Sequence, residues 1–515
     1  MSNDQAASKP SLWHRASLLI YPFLLVYYPI LALRAHNIVY VNLPSILRSL
    51  LLVTAGTAIL IAITHLFVRN LAKTSIIVSL IGMFFLSYGH LYIKIEETLG
   101  SPVRHRYLVA ASFLILLLVT ILILKKDQVA RVLAQFLATT SVVLVAIVVF
   151  QTVNYDIGVY RAEAASAQEE APVAPVQADE KLPDLYLIIL DAHTRTDVLE
   201  ARFGFDNSSF IQKLNNMGFY VASCSQSNYA STKLSLTSTF YGDYIQNFVE
   251  EGEILPSLKR SALNQTLKSL GYKIFAFENR ASGHFDLKED VLLSRNQMAF
   301  GKFDFIGGIS EYEKMLIDTS FLRFVVDTEL IPGFDNTRTQ EWELWEHYYQ
   351  TNYILAELEK VPDSPGPKFV FVHIMVPHSP FIFAPDGSYQ HNNSPIDGYR
   401  ANTEFIDSQL PPVLQTILEK SNPTPIIIVM GDHGPSTRKT ITKEMRMATL
   451  NAYLVNEAAK AQMYPAMTPI NATRIILNAH YDRTLPLLED VSYYAYKGSQ
   501  LPDAEIITNN CPPTP

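Results

Sequence analysis

Cysteine is almost missing from this chain: Cys224 and Cys511 are the only two in 515 residues. That excludes a Cys-rich zinc module. The two either pair, which in an exported domain would tie the C-terminal tail to the body, or stay as buried thiols. Charge is also thin, at 17% of residues with a net of −8, and no basic excess points to nucleic acid. The charge that exists is unevenly spread. Residues 1–152 hold 12 Lys and Arg against 4 Asp and Glu, a net of +8, and the remainder holds 29 against 45, a net of −16. A basic, membrane-embedded part therefore precedes an acidic, water-soluble one, and the length exceeds that of one ordinary domain.

What the first part has instead of charge is hydrophobic runs. Five of them, roughly 16–33, 46–68, 74–93, 107–124 and 129–150, are each close to the ~20 residues that a helix needs to cross a bilayer. The first is read as a span, because no small-residue cleavage site follows it and further spans come at once. With the N-terminus inside, Lys9, Arg15, Arg69, Lys73, Lys125, Lys126 and Arg131 fall on the cytoplasmic side. Arg34, Arg48, Lys94, Arg104 and Arg106 fall opposite. This bias favours an inside N-terminus, and an odd number of spans puts the rest of the chain outside. Residues 153–182, rich in Ala, Pro, Glu and Gln, form a flexible linker between a transmembrane domain at 1–152 and a second domain at 183–515.

From Pro183 short apolar strands alternate with helices. Strands are expected at 185–190, 218–222, 272–277, 368–373, 426–430 and 450–455, and helices at 208–218, 261–270, 341–360 and 399–420. This pattern predicts an α/β domain with a mostly parallel sheet between two helical layers. Functional groups in such sheets sit just past the carboxyl ends of the strands. Asp191 follows the first strand. Pro425-Ile-Ile-Ile-Val-Met-Gly-Asp-His-Gly434 places Asp432 and His433 after another, where a carboxylate and an imidazole can grip a divalent metal. The flanking glycines are expected to permit a tight turn. His373-Ile-Met-Val-Pro-His-Ser-Pro380 brings His373 and His378 to a third strand end. In Ser227-Asn-Tyr-Ala-Ser-Thr-Lys-Leu-Ser-Leu-Thr-Ser-Thr239, small hydroxyl residues lead into a helix. They serve there either as an N-cap or as a nucleophile held in the helix's positive end.

In this order the pieces of residues 183–455 resemble the alkaline phosphatase–sulfatase superfamily. With five spans ahead of them, they look like its lipoteichoic acid synthases and lipid A phosphoethanolamine transferases. The resemblance implies a five-helix transmembrane domain followed by a soluble, alkaline-phosphatase-like three-layer α/β/α domain. It implies Asp191, Asp432, His433 and the nucleophile Thr232 as metal ligands, with Ser231 as the alternative nucleophile. Thr232 and Ser235 reproduce the family's three-residue offset. His378 would be catalytic, and Ser235, His373 and Arg438 would bind substrate. One divalent ion is implied, zinc or manganese, with calcium as the alternative. No Cys-x-Pro-Ser-Arg stands at the nucleophile, so formylglycine chemistry is not expected. Ala192 stands where sulfatases have a second Asp, and no His follows His433 before His480, which argues against a second metal.

The implied function is metal-dependent transfer of a phosphate-linked headgroup, from a membrane lipid donor to an envelope glycan or lipid, through a covalent phosphothreonine. A phosphodiester or sulfatase-like hydrolase, or a degenerate member acting as an envelope scaffold, are the alternatives. The implied location is multi-pass in the plasma or inner membrane, with the catalytic domain extracytoplasmic. Lipid bilayer, donor and acceptor are the expected partners, and nucleic acid is not.

Overall fold

The computed structural model describes residues 12–38, 41, 43–99, 104–166, 182–249, 255–278, 285, 287–294, 311–328, 330, 336–392, 394–436, 441–494 and 504–511. The chain forms two compact units, one of residues 1–157 and 302–340, the other of residues 158–301 and 341–515.

The first unit is built on α1 (Leu12–His36), α2 (Leu47–Val68), α3 (Leu71–Leu99), α4 (His105–Lys125) and α5 (Asp127–Ser166). All five are long and apolar enough to cross a membrane. α2 and α4 leave nearly their whole apolar surface uncovered by protein, including Leu51, Leu66, Phe67, Leu117 and Leu118. Water would penalise that exposure, whereas a hydrocarbon solvent does not, and a helix satisfies its own backbone there.

Residues 302–340 fall within the stretch that the sequence reading gave to the second domain, yet they group with the helices. Two short helices, Glu311–Thr319 and Leu322–Asp327, carry the described part. The Tyr312 hydroxyl donates to the Ile30 carbonyl at 2.9 Å, Glu313 pairs with Arg48, and Nε2 of His105 lies 2.9 Å from an Asp327 oxygen. Such short, half-apolar helices read in the sequence like those of any water-soluble domain.

In the second unit a seven-stranded sheet runs β2-β9-β8-β1-β5-β3-β4. The strands are β1 (Leu185–Leu190), β2 (Tyr220–Val221), β3 (Lys273–Phe277), β4 (Val291–Leu293), β5 (Lys368–Ile374), β8 (Ile426–Met430) and β9 (Asn451–Leu454). A hairpin of β6 (Phe381–Phe383) and β7 (Tyr389–Asn392) stands apart. The order β8-β1-β5-β3-β4 is parallel throughout, and β9 and β2 extend it in antiparallel pairings. All six residues of β1 are buried. Tyr186, Ile188 and Leu190 face a core shared with α6 (Ser208–Asn216), α9 (Asn336–Leu358) and α10 (Pro395–Lys420). Leu185, Leu187 and Ile189 face the opposite core, which includes α7 (Thr232–Tyr241), α8 (Ala262–Ser269) and α11 (Pro469–Tyr481). Helices on both faces explain why the strand is a continuous apolar run rather than an alternating one. Cys224 and Cys511 form a disulfide that ties the tail to the loop after β2.

Candidate active site

The central strand β1 lies between β8 and β5, with Ile189 opposite both Met430 and His373. Two residues further on, the sheet delivers Asp191 beside Asp432 and His433. Asp191, Asp432 and His433 are all buried, and one ligand atom from each lies within 4.8 Å of the others. His433 Nδ1 lies 3.0 Å from the Gly434 carbonyl, which can only accept, so the proton sits on Nδ1 and Nε2 carries a lone pair. That lone pair faces Asp432 Oδ2 at 3.3 Å and Asp191 Oδ1 at 3.9 Å. Both of these carboxylate oxygens are buried with no hydrogen-bond partner.

Three electron-rich atoms thus converge with no proton between them. Buried like this they repel one another, and a divalent cation is the group that resolves the repulsion. The other carboxylate oxygens are anchored: Asp191 Oδ2 accepts from His373 Nε2 at 3.0 Å, and Asp432 Oδ1 accepts from the Ala192 amide at 3.0 Å. Orienting partners of this kind fix ligands before an ion arrives.

The electrostatics agree. Burial works against an ionised Asp191, but His378, His373 and His433 outweigh it, and its carboxyl is held below the usual carboxylate range. Burial pushes His433 down to about 4, with Arg446 adding to the effect. Its imidazole is therefore neutral at pH 7, as a ligand must be.

Thr232 opens α7, and its hydroxyl lies 3.1 Å from His433 Nε2. Ser231 occupies the N-cap position in an extended conformation but makes no side-chain capping bond. Of the two adjacent hydroxyls, that of Thr232 is the one against His433. Ser235, one turn on, is buried with its Oγ unpartnered. His378 donates its backbone amide to the Asp191 carbonyl at 3.0 Å. Its Nδ1 is fixed on the Ser379 carbonyl at 2.6 Å, and its ring centroid is 6.5 Å from that of His433. His373, expected to bind substrate, meets Asp191 Oδ2 through its Nε2, while Arg438 lies outside the described residues.

The backbone is forced into this shape. Ala192 adopts φ +66°, a left-handed conformation that costs a residue with a Cβ roughly 1–2 kcal/mol. Gly431 and Gly434 flank a bend at Asp432 and His433, and neither has a positive φ. Their reason is close approach: a Cβ at Gly431 would lie 2.1 Å from the His193 carbonyl oxygen, and one at Gly434 2.4 Å from that of Met445.

Five residues that the sequence reading did not place help to build the site. His193 Nε2 meets Asp407 Oδ1 at 2.8 Å, both buried, and Asn207 donates to the other Asp407 oxygen at 3.2 Å. Asp407 interrupts the apolar stripe of Phe405, Ile406 and Leu410 on α10, and that interruption was the available signal. Arg446 is buried. Its guanidinium donates to the carbonyls of Ala230 at 2.8 and 3.0 Å and of Gly434 at 2.7 Å, joining the loop before Thr232 to the loop after His433.

His347 is the fifth, on α9. The helix precedes β5 and runs against it, so its earlier turns reach the strand's carboxyl end. His347 is eleven residues before Leu358, roughly 16 Å of helix, and His373 is about the same distance along β5 from Lys368. Its Nε2 is buried and unpartnered. Burial pushes the ring down to about 4, with His378 adding to the effect and Asp191 opposing it.

A family model described as Sulfatase matches residues 183–472. Among solved structures, the C-terminal periplasmic domain of EptC from Escherichia coli, in complex with Zn, is similar at 13% identity. That match covers 66% of this chain and 96% of that one with a TM-score of 0.42. The C-terminal periplasmic domain of the phosphoethanolamine transferase EptC from Campylobacter jejuni is similar at 11%, covering 60% and 95%, with a TM-score of 0.38. The integral membrane lipooligosaccharide phosphoethanolamine transferase A from Neisseria meningitidis is similar at 11%, covering 90% and 94%, with a TM-score of 0.36. No curated protein matches by sequence.

Proposed function

The chain belongs to the sulfatase family, and from that premise we propose that it transfers a phosphate-linked headgroup from a membrane lipid to an envelope glycan or lipid through a covalent phosphothreonine. The observation that carries this reading is Thr232 Oγ1 at 3.1 Å from a His433 nitrogen whose lone pair converges with two unpartnered carboxylate oxygens. A hydroxyl, rather than a cysteine, at the nucleophile position supports phosphoryl over formylglycine-based chemistry. Five membrane-spanning helices in the same chain support a lipid donor.

Asp191, Asp432, His433 and Thr232 would hold one divalent ion, and the mixed oxygen and nitrogen donors suit zinc or manganese. When bound, the ion would lower the pKa of the Thr232 hydroxyl and polarise a phosphoryl oxygen. Thr232 Oγ1 attacks phosphorus, the bond from phosphorus to the donor's alcohol oxygen breaks, and that alcohol leaves with the proton Thr232 gave up. His378, its Nδ1 fixed on Ser379, relays that proton through Nε2. An acceptor hydroxyl then displaces Thr232 from phosphorus, and the proton returns by the same route. Ser235 and Arg438 would contact the transferred group, and His373 keeps Asp191 in place. The Cys224–Cys511 disulfide supports an extracytoplasmic catalytic domain, since such bonds persist in oxidising compartments.

The family match supports a second reading, in which water resolves the intermediate and the protein is a hydrolase. Intact-mass measurement of the full-length protein with a lipid donor tests both. A covalent adduct on Thr232 that only a glycan or lipid hydroxyl discharges supports transfer, and discharge by water alone supports hydrolysis. No adduct with any phospholipid donor, at a site loaded with metal, would overturn covalent phosphoryl transfer.

A further inference from the structure

His378 is held by its backbone as well as by its ring. Its amide donates to the Asp191 carbonyl at 3.0 Å, and its own carbonyl accepts from the Asn402 side chain of α10, with Nδ2 at 3.4 Å. Asn402 is fully buried. Its Nδ2 also reaches the Pro380 carbonyl at 3.4 Å, and its Oδ1 accepts from the backbone amides of Ile382 at 3.2 Å and Phe383 at 3.1 Å. A carboxamide offers two donors and two acceptor lone pairs, and here all four serve one segment, residues 378–383. Two backbone N–H groups can only face an oxygen, so the orientation of the amide is forced.

The consequence falls on the catalytic ring. Ser379 lies between the two carbonyls that Asn402 holds, and the Ser379 carbonyl holds His378 Nδ1 at 2.6 Å. A carbonyl can only accept, so Nδ1 keeps its proton and Nε2 is left for proton transfer. Asn402 thus sets the ring through the peptide that orients it. The same helix grips the loop that follows Asp191: the Tyr399 hydroxyl donates to the Ala192 carbonyl at 2.7 Å, and Asp407 meets His193. Gly398, one turn before Asn402, packs directly on the His378 segment, since a Cβ there would lie 2.6 Å from the Cβ of Phe381.

We propose that Asn402 is a positioning residue for His378, holding the backbone of residues 378–380 so that Nε2 keeps a fixed place beside the Asp191 loop. As a statement about catalysis this rests on the transfer reading above, in which His378 relays the Thr232 proton. As a statement about where the ring sits, it stands on the hydrogen bonds alone.

The full-length chain tests it. Asn402→Leu keeps the volume of the side chain and removes all four bonds, and it should lower kcat about 10²-fold, the order expected when a catalytic group moves by ~1 Å. About one metal ion per chain should stay bound. Gly398→Ala, which drives a methyl at Phe381 and leaves Asn402 intact, should act in the same direction. His378→Ala should lower kcat about 10²–10⁴-fold, and Asn402→Leu added to it should cost less than about twofold more, because a residue that acts through another has nothing left to act on. Amide hydrogen exchange across residues 378–383 should rise about tenfold or more in Asn402→Leu and Gly398→Ala, with β1 and β8 as in the wild type. Wild-type turnover in Asn402→Leu, multiplied losses in the double variant, or unchanged exchange would overturn the proposal. So would lost metal and raised exchange across the whole sheet in both variants, which mark a role in folding alone. A wild-type chain that forms no adduct on Thr232 with any lipid donor sinks the transfer reading, and the exchange result then decides alone whether Asn402 holds His378.

Discussion

Thr232 Oγ1 lies 3.1 Å from Nε2 of His433, and because His433 Nδ1 is committed to the Gly434 carbonyl, that nitrogen meets the hydroxyl with a lone pair. The pair joins the first turn of α7 to the loop after β8, so neither side chain is placed by its own loop alone. Thr232→Ala should lower turnover on the order of 10³-fold or more, since losing a nucleophile disables the whole unit. Thr232→Ser should retain measurable turnover because the attacking oxygen survives. If Thr232→Ala stays active while Ser231→Ala is dead, the neighbouring hydroxyl is the nucleophile.

Metal content is the second expectation. Elemental analysis of the dialysed protein should give about one divalent ion per chain, since a two-metal centre needs more converging ligands. Asp432→Asn combined with His433→Ala should lose it. Asp191→Asn should weaken binding less than the double variant, and His373→Ala, which frees only the second Asp191 oxygen, should weaken it about 10–100-fold. Unchanged metal in the double variant would place the ion elsewhere.

The backbone itself can be tested. Ala192 is left-handed, so Ala192→Gly should fold and work, while Ala192→Val adds β-branching to a disfavoured conformation and should lower both activity and thermal stability. Gly431→Ala drives a methyl into the His193 carbonyl and should cost the metal site before it costs the fold. Wild-type metal affinity in Gly431→Ala would show that the approach is not needed.

Acid should destabilise the catalytic unit at a pH set by its partly buried histidines. Burial holds His347 and His480 at about 4, and His480 Nε2 accepts from the Asn456 amide at 3.3 Å, which only the unprotonated nitrogen can do. Folded values below the unfolded ~6.5 mean that unfolded chains bind protons first. Stability is then fully present above about pH 6.5 and declines as pH falls toward 4. Thermal unfolding followed from pH 7.5 to 4.5 should show this decline, and His480→Gln should flatten it. An unchanged slope in that variant would assign the effect to other groups.

Membrane orientation is open to a direct measurement. A periplasm-dependent reporter fused after residue 160 should be active and a cytoplasm-dependent one silent. The opposite outcome would put the catalytic domain inside and remove envelope substrates from consideration.

Much of the fold was legible in the chain because it depends on local pattern. β1 and β8 are uninterrupted apolar runs that lead to polar residues, as a sheet covered on both faces demands. The Asp191, Asp432 and His433 cluster could be read because each residue sits at a strand end. His347 and Arg446 could not, since a histidine in a long helix and an arginine in a short one give no sign of which way they point. The Gly431 and Gly434 positions were noticed for a tight turn, but neither uses a positive φ. Their constraint comes from His193 and Met445, which are remote in sequence at one glycine and displaced by a loop at the other. The grouping of residues 302–340 was invisible for a similar reason: partner surfaces such as Ile30, Arg48 and Phe85 lie more than 200 positions away.

That excursion of residues 302–340 into the helical unit gives the chain three crossings between its units where a simple anchored enzyme has one. A protease that cuts between residues 166 and 182 will therefore nick the protein without shedding the catalytic unit into solution. Recombinant fragments that start near residue 183 will carry the apolar side of Tyr312, Leu316 and Phe321 with nothing to cover it. A shorter fragment in which a brief polar loop replaces 302–340 is the one expected to stay monomeric in water.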